Sequence, residues 1–303
     1  MGWTSTPIRP CRFRAFRNAN RKQDMYPELI TLNLPVLGRF TITTFGVMMA
    51  IAFLAGYQVI RVELRRQGKD EQLAGDILLG ALVGGILGAK IYYVLLNWPL
   101  TVHDPIGMLT SRSGLVWYGG LIGGAIGVIW MLRRRGQNIA EMADVAAPGL
   151  ALSYALGRVG CFLVGDDYGR PTDSWVGIAF PNGQPPSTAG NLRRGFGVDI
   201  PAEIPDGQVL SVYPTQLFET GISLVIFFVL WRLRFRDKRA GWLFSLWLVL
   251  AGFERLFVEF FRAKDDRFFG ALSLAQVLSI GLIGLGAWLM NRLGSDTRET
   301  SRK

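Results

Sequence analysis

A chain of 303 residues that is 50% hydrophobic, only 18% charged and has a mean hydropathy of +0.27 is too apolar for a soluble domain of its size. Its formal net charge is +10, and its two cysteines, Cys11 in a polar leader and Cys161 in an apolar run, exclude a disulfide framework and a cysteine metal cluster. No His/Cys ligand spacing, GxxxxGK[ST] phosphate loop or heptad run occurs, so a metal protein, a P-loop enzyme and a coiled coil find no support, and no cofactor is expected.

Residues 1–24 carry six cations against Asp24 alone and lack the apolar h-region of a signal peptide. This leader reads as sequence upstream of an internal start at Met25; a basic arm for nucleic acid is the alternative, and no nucleic-acid partner is expected. Residues 25–42 read as an amphipathic lead-in. Seven apolar runs follow, at 43–60, 76–96, 114–132, 143–164, 215–231, 241–259 and 271–290, each near the ~20 residues a helix needs to cross hydrocarbon. The predicted fold is therefore an all-α integral membrane protein of seven transmembrane helices, four within 43–164 and three within 215–290, with a tail at 291–303. Gly84, Gly85 and Gly88 in the second run, and Gly119, Gly120, Gly123, Gly124 and Gly127 in the third, predict close helix approach. The one long hydrophilic insertion, 165–214, is rich in Pro and Gly. It holds strand-like pieces at 174–180 and 208–212 and turn signals at Asn182-Gly183 and Asp206-Gly207, which predict a small external head.

The segments after the first, third, fifth and seventh runs hold sixteen Lys and Arg, and those after the other three hold seven. By the positive-inside rule the N-terminus faces the periplasm and the C-terminus the cytoplasm.

Ionisable residues inside apolar runs are expensive and mark function. Lys90 lies in the second run, Arg158 near the end of the fourth with Asp166 just beyond it, Glu219 at the start of the fifth, and Glu254, Arg255 and Glu259 in the sixth. Arg255 and Glu259 stand four apart, on one helix face where they can pair. All but Lys90 fall near outward-facing helix ends. Together they predict a positively charged cavity toward the outer leaflet, in which arginine forks take the phosphate of an anionic lipid headgroup. A channel or transporter is the bland membrane alternative.

The stretch 157–170, GRVGCFLVGDDYGR, resembles a signature of the type GRxGNFxNGExxGR, that of the prolipoprotein diacylglyceryl transferases of bacterial inner membranes. Supporting matches are GLVWYGGLIGG at 114–124, YPTQLFE at 213–219, Arg255 with Glu259 in FERLFVEFFR, and the stretch around Gln276. The resemblance runs from about Leu29 to Met290. It implies transfer of the diacylglyceryl group of phosphatidylglycerol to the lipobox cysteine thiol of a prolipoprotein. On that reading Arg158 and Arg255 stabilise the departing phosphate, Glu259 holds Arg255, Asp166 stands for the signature glutamate, and Lys90 stands where the family shows arginine. Gly169 and Gln216 belong to the matched segments and are expected at the phosphatidylglycerol site.

Four positions depart from the family pattern: Phe45 replaces a tyrosine, Tyr118 a histidine, and Cys161 and Val164 the two asparagines of the signature. Tyr118 is expected to orient the phosphate through its hydroxyl, and Cys161 to line the site as a packing residue. The only histidine, His103, reads as a solvated loop residue. The departures keep a second reading open, a divergent relative that binds anionic phospholipid or lipidates another acceptor without the standard thiol chemistry.

Overall fold

A computed structural model describes residues 26–34, 38–111, 114–236, 238–263, 267–269 and 272–299. The leader, Met25, Cys11, Arg112 and Lys264 lie outside the described residues. In chain order the elements are β1 (Glu28–Leu34), β2 (Gly38–Thr43), α1 (Thr44–Arg66), α2 (Gln72–Leu96), α3 (Trp98–His103), α4 (Pro105–Thr110), α5 (Trp117–Arg134), α6 (Ile139–Val164), β3 (Ile178–Ala179), α7 (Ala189–Gly195), β4 (Ser211–Val212), α8 (Thr215–Leu233), α9 (Trp242–Glu259), β5 (Arg267–Phe269), β6 (Leu272–Ser273) and α10 (Leu274–Glu299).

The described residues are mainly helical, as expected, and include three short antiparallel strand pairs, β1 with β2, β3 with β4 and β5 with β6, of which β3 and β4 lie within the strand-like pieces at 174–180 and 208–212. The largest lies in the lead-in: 28–34 and 38–43 pair as antiparallel strands, favoured by the β-branched run Thr41, Ile42, Thr43. The connection after the second apolar run is likewise not a bare loop. Pro99 and Pro105 stand in the first turns of α3 and α4, where a missing N–H costs nothing, and the Asp104 side chain caps α4 by accepting from Gly107 N at 2.9 Å.

The seven apolar runs all fold as helices, α1, α2, α5, α6, α8, α9 and α10, but only five are long and apolar enough to cross a membrane: α1, α2, α6, α8 and α10 over Leu274–Leu293. The shortfall has a compositional cause. The 18-residue α5 spends five positions on glycine and ends on Arg133 and Arg134, and the 18-residue α9 carries Glu254, Arg255 and Glu259.

The described residues fall into two compact units, the first drawn from 26–44, 161–216 and 261–263, the second from 45–160, 217–260 and 267–299. The first is cored by Tyr168, Phe180, Leu192, Ile200, Leu210 and Val212. The buried Tyr168 hydroxyl donates to the carbonyls of Pro185 and Pro186 at 2.9 and 3.0 Å, and burial pushes its phenol pKa up.

The second unit is a helix assembly whose outer faces expose Leu54, Ile86, Leu87, Ile126 and Phe228, as expected where lipid rather than water is the solvent. Inside it, α2 and α5 run antiparallel with glycine against glycine. A Cβ on Gly84 would lie 2.3 Å from the carbonyl oxygen of Gly123, and one on Gly88 2.3 Å from that of Gly119, so only glycine permits this spacing. α9 is capped from another helix: Asp144 of α6 accepts from the backbone N–H groups of Gly241 and Phe244, both at 2.7 Å. Elsewhere Glu63 of α1, almost fully buried, accepts from Arg66 and Gln67 and lies 3.2 Å from Arg234 beyond α8.

Candidate functional site

In the second unit, α6, α8 and α9 bring five charged side chains to one place around Glu219, which has no exposed surface. Arg158 Nε lies 3.0 Å from Glu219 Oε2 and donates to the Tyr154 hydroxyl at 3.1 Å, and that hydroxyl donates to Glu219 Oε1 at 3.0 Å. The i to i+4 step from Tyr154 to Arg158 stacks the guanidinium 5.2 Å from the tyrosine ring centroid. Arg255 reaches the same carboxylate from α9, Nη1 to Oε1 at 3.6 Å, and pairs along its own helix with Glu259, Nη2 to Oε2 at 3.1 Å. Ser273 Oγ donates to Glu259 at 2.8 Å, and Ser223 Oγ to Glu254 at 2.5 Å.

Two guanidiniums thus meet two carboxylates, Glu219 and Glu259, with Glu254 held close by on the Ser223 hydroxyl, so the cations expected to make a positive cavity are compensated by carboxylates. The physical reason is the cost of burial: a cation in a low-dielectric bundle persists where carboxylates and hydroxyls compensate it. The arginines are not sealed, because their side chains keep 14% (Arg158) and 29% (Arg255) of their surface exposed, against 0% for Glu219 and 7% for Glu259. Such an arrangement presents fixed, partly accessible N–H donors to an incoming anion.

The first unit holds the rest of the signature stretch. α6 stops at Gly165, whose φ of 73° allows its N–H to return to the Cys161 carbonyl at 2.9 Å, and Asp166 N reaches the same oxygen at 3.2 Å. The buried Gln216 side chain donates to the Asp166 carbonyl. Asp167, at φ 55°, is held by a two-point pairing with Arg262, and its carbonyl accepts from Thr215 Oγ1 at 2.9 Å. Gly169 is required by contact: a Cβ there would lie 2.4 Å from the Phe261 carbonyl oxygen and 2.8 Å from Thr215 Cγ2. Gln216 and Gly169 therefore brace the turn that carries the half-buried Asp166.

The remaining expected residues stand as follows. Lys90 Nζ donates to the Ser111 carbonyl at 2.8 Å and bonds its hydroxyl at 2.9 Å, and lies 5.5 Å from the Tyr93 ring centroid. Tyr118, in the first turn of α5, is 39% exposed and meets Trp117 edge to face. Phe45 of α1 packs near Gly160. His103 is exposed, at the end of the short helix α3 rather than in a loop. The sequence placed Glu219 and Glu254 among the ionisable residues of the cavity without a role for either, and it did not single out Tyr154, Ser223 or Ser273. Glu219 carried the available signal, a carboxylate in an apolar helix inside a matched segment; a tyrosine or serine in such a helix carries none.

A family model described as prolipoprotein diacylglyceryl transferase matches residues 33–292. The chain is similar to the phosphatidylglycerol--prolipoprotein diacylglyceryl transferase of Clostridium tetani (strain Massachusetts / E88), 29% identical over 248 residues that cover 82% of this chain and 91% of the relative. It is 30% identical to phosphatidylglycerol--prolipoprotein diacylglyceryl transferase 2 of Clostridium perfringens (strain 13 / Type A) over 266 residues, 86% of this chain and 95% of that one. The corresponding transferase of Francisella tularensis subsp. holarctica (strain FTNF002-00 / FTA) is 30% identical over 285 residues, 90% of this chain and 97% of the relative.

Proposed function

The chain belongs to the prolipoprotein diacylglyceryl transferase family, and on that premise we propose that it transfers the diacylglyceryl group of phosphatidylglycerol to the lipobox cysteine of a prolipoprotein. In this reaction the cysteine sulfur attacks the glyceryl carbon that carries the phosphate ester. The C–S bond of a thioether forms, the C–O bond breaks, its electron pair leaves on the phosphate, and glycerol phosphate departs with the thiol proton passed to solvent or phosphate. The site works in the bacterial inner membrane, in a multi-pass chain of seven spans with the N-terminus periplasmic.

The observation that carries this reading is the Arg158–Glu219–Arg255 network, two partly exposed guanidiniums locked by one fully buried carboxylate inside apolar helices. Fixed donors aimed where charge develops on the phosphate lower the barrier without reorganisation at the moment of reaction. Glu259 holds Arg255. Asp166, Gly169 and Gln216 belong to the signature turn, and Tyr118, Lys90 and Cys161 complete the residues assigned to phosphatidylglycerol. No histidine base is required: cations near a thiol of ordinary pKa ~8.5 raise its thiolate fraction.

Phe45, Tyr118 and Cys161 favour one second reading, a relative that lipidates another acceptor. Complementation of a strain depleted of its own transferase, with the thioether lipid read by mass spectrometry, decides between them. Arg158→Ala and Arg255→Ala are each expected to abolish transfer, and Cys161→Ser and His103→Ala to leave most of it. Full activity in Arg158→Ala would rule out the headgroup clamp.

A further inference from the structure

The second unit carries an apolar groove of about 710 Å³ on the outer side of the α2–α5 pair. Its floor is the glycine contact line, where Gly84, Gly88, Gly123 and Gly127 let the two backbones touch, and its walls include Leu79, Val83, Leu87, Ile122 and Ile126. Along α2 it runs from Leu79 to Leu95, about 24 Å at the helical rise of 1.5 Å per residue. That exceeds the ~15 Å depth of one leaflet's hydrocarbon. No acidic residue lines it.

One end of the groove is chemically distinct. Trp130 forms part of the lining, and the Arg134 guanidinium lies over its ring, 4.1 Å from the centroid. Three consecutive arginines close α5 there. Arg135 is taken by Asp76 at 2.8 Å, whereas Arg133 and Arg134 are exposed and, among the described residues, have no carboxylate partner. A tryptophan at a membrane–water boundary with two uncompensated guanidiniums beside it is complementary to a phosphate attached to an acyl chain. The place is separate from the Arg158 cluster, since Arg158 stands nineteen residues along α6 from its start, about 28 Å of helix away from the α5–α6 turn.

We infer that this groove is a second lipid site, in which one acyl chain of an anionic phospholipid lies on the glycine floor and its phosphate is held by Arg133 and Arg134 beside Trp130. The inference does not depend on the transfer reaction. The full chain, reconstituted in phosphatidylcholine vesicles with increasing fractions of acyl-brominated phosphatidylglycerol, provides the test. The Trp130 signal is isolated as the difference between the parent protein and Trp130→Phe. At equal mole fraction, brominated phosphatidylglycerol should quench that signal with an apparent affinity higher than brominated phosphatidylcholine by about fivefold per cation, the equivalent of ~1 kcal/mol for each basic residue at an anionic surface. The double variant Arg133→Gln/Arg134→Gln should lose the preference, and Arg133→Lys/Arg134→Lys, which keeps both charges, should retain most of it. Equal quenching by the two lipids in the parent protein, or an unchanged preference in the Gln variant, overturns the site. Weak quenching by both lipids, with an Ile126→Cys variant cross-linking between copies, overturns it as well and makes the groove a chain–chain contact.

Discussion

Glu219 lies at the crossing of three helices, and its chemistry sets what its neighbours can do. Its two oxygens are shared among the Tyr154 hydroxyl, Arg158 and Arg255, with no water-exposed surface to compensate a lost partner. Replacing it with glutamine preserves size but removes, among the described residues, the only carboxylate that touches both guanidiniums. The amide also turns an N–H face toward them. Breaking a buried ion pair on one side costs on the order of 3–5 kcal/mol, because the other charge is left uncompensated. Glu219→Gln is therefore expected to lower the thermal unfolding midpoint in detergent and to abolish transfer, whereas Glu254→Gln, at a carboxylate that accepts from the neutral Ser223 hydroxyl, should melt closer to the parent. Equal melting of the two variants would remove Glu219 from the centre of the network. The arginines and Glu259 were legible in the sequence because a charge in an apolar run is conspicuous. Tyr154 was not, since a tyrosine inside such a helix reads as packing until a partner is seen. The Lys90–Ser111 contact was hidden by distance, for its two residues stand twenty-one apart with two short helices between them.

Helices were the most legible elements, because an uninterrupted apolar run leaves the backbone no solvent but its own hydrogen bonds. The ends at 164 and 259 are those the sequence indicated, while α1 runs on to Arg66, where charged residues continue the helix beyond the apolar stretch. The hairpin at 28–43 was not specified by the sequence beyond an amphipathic lead-in, since its alternation is short and a 3.6-residue stripe of similar length fits the same residues. Asp144 illustrates the class of contact that no local pattern discloses: it caps α9 across ninety-seven positions. The glycine pairing of α2 and α5 was visible as two small-residue series, and its exact partners came from the fold. That pairing makes a steep prediction. Gly84→Leu places a Cβ 2.3 Å from a carbonyl oxygen of backbone rather than of a movable side chain, so the two helices must separate. Overpacking a close contact costs about 1–3 kcal/mol and more where backbone must move. Gly84→Leu should accordingly lower the unfolding midpoint well below that of Gly75→Leu, where a Cβ meets nothing within 4 Å. Indistinguishable midpoints would show that the glycine line does not set the spacing.

At the scale of the whole molecule, the distribution of cations is the feature that governs orientation. Many of the basic residues after α1 and α5 are neutralised locally: Arg61 and Arg65 grip Glu71, Lys69 pairs with Glu141, and Arg135 with Asp76. The two arginines hold the Glu71 carboxyl down to about 2, so those pairs persist at physiological pH. If net charge decided which end stays in the cytoplasm, this pairing would erase much of the bias. Translocation, however, responds to Lys and Arg in short loops and hardly to Asp and Glu, so the sixteen-to-seven excess should still prevail. Trp130 of α5, Trp231 of α8, Trp242 of α9 and Trp288 of α10 each stack against a cation, an arrangement suited to a headgroup layer. Single cysteines in a chain lacking Cys11 and Cys161 measure the outcome. In intact cells Asp173→Cys, on an exposed position of the Pro- and Gly-rich insertion, should react with a membrane-impermeant maleimide. Gln137→Cys, in the turn between α5 and α6, should react only after the membrane is opened. The reverse pattern would invert the orientation and move the Arg158 network from the periplasmic to the cytoplasmic half of the bilayer, where an exported prolipoprotein's cysteine could not meet it.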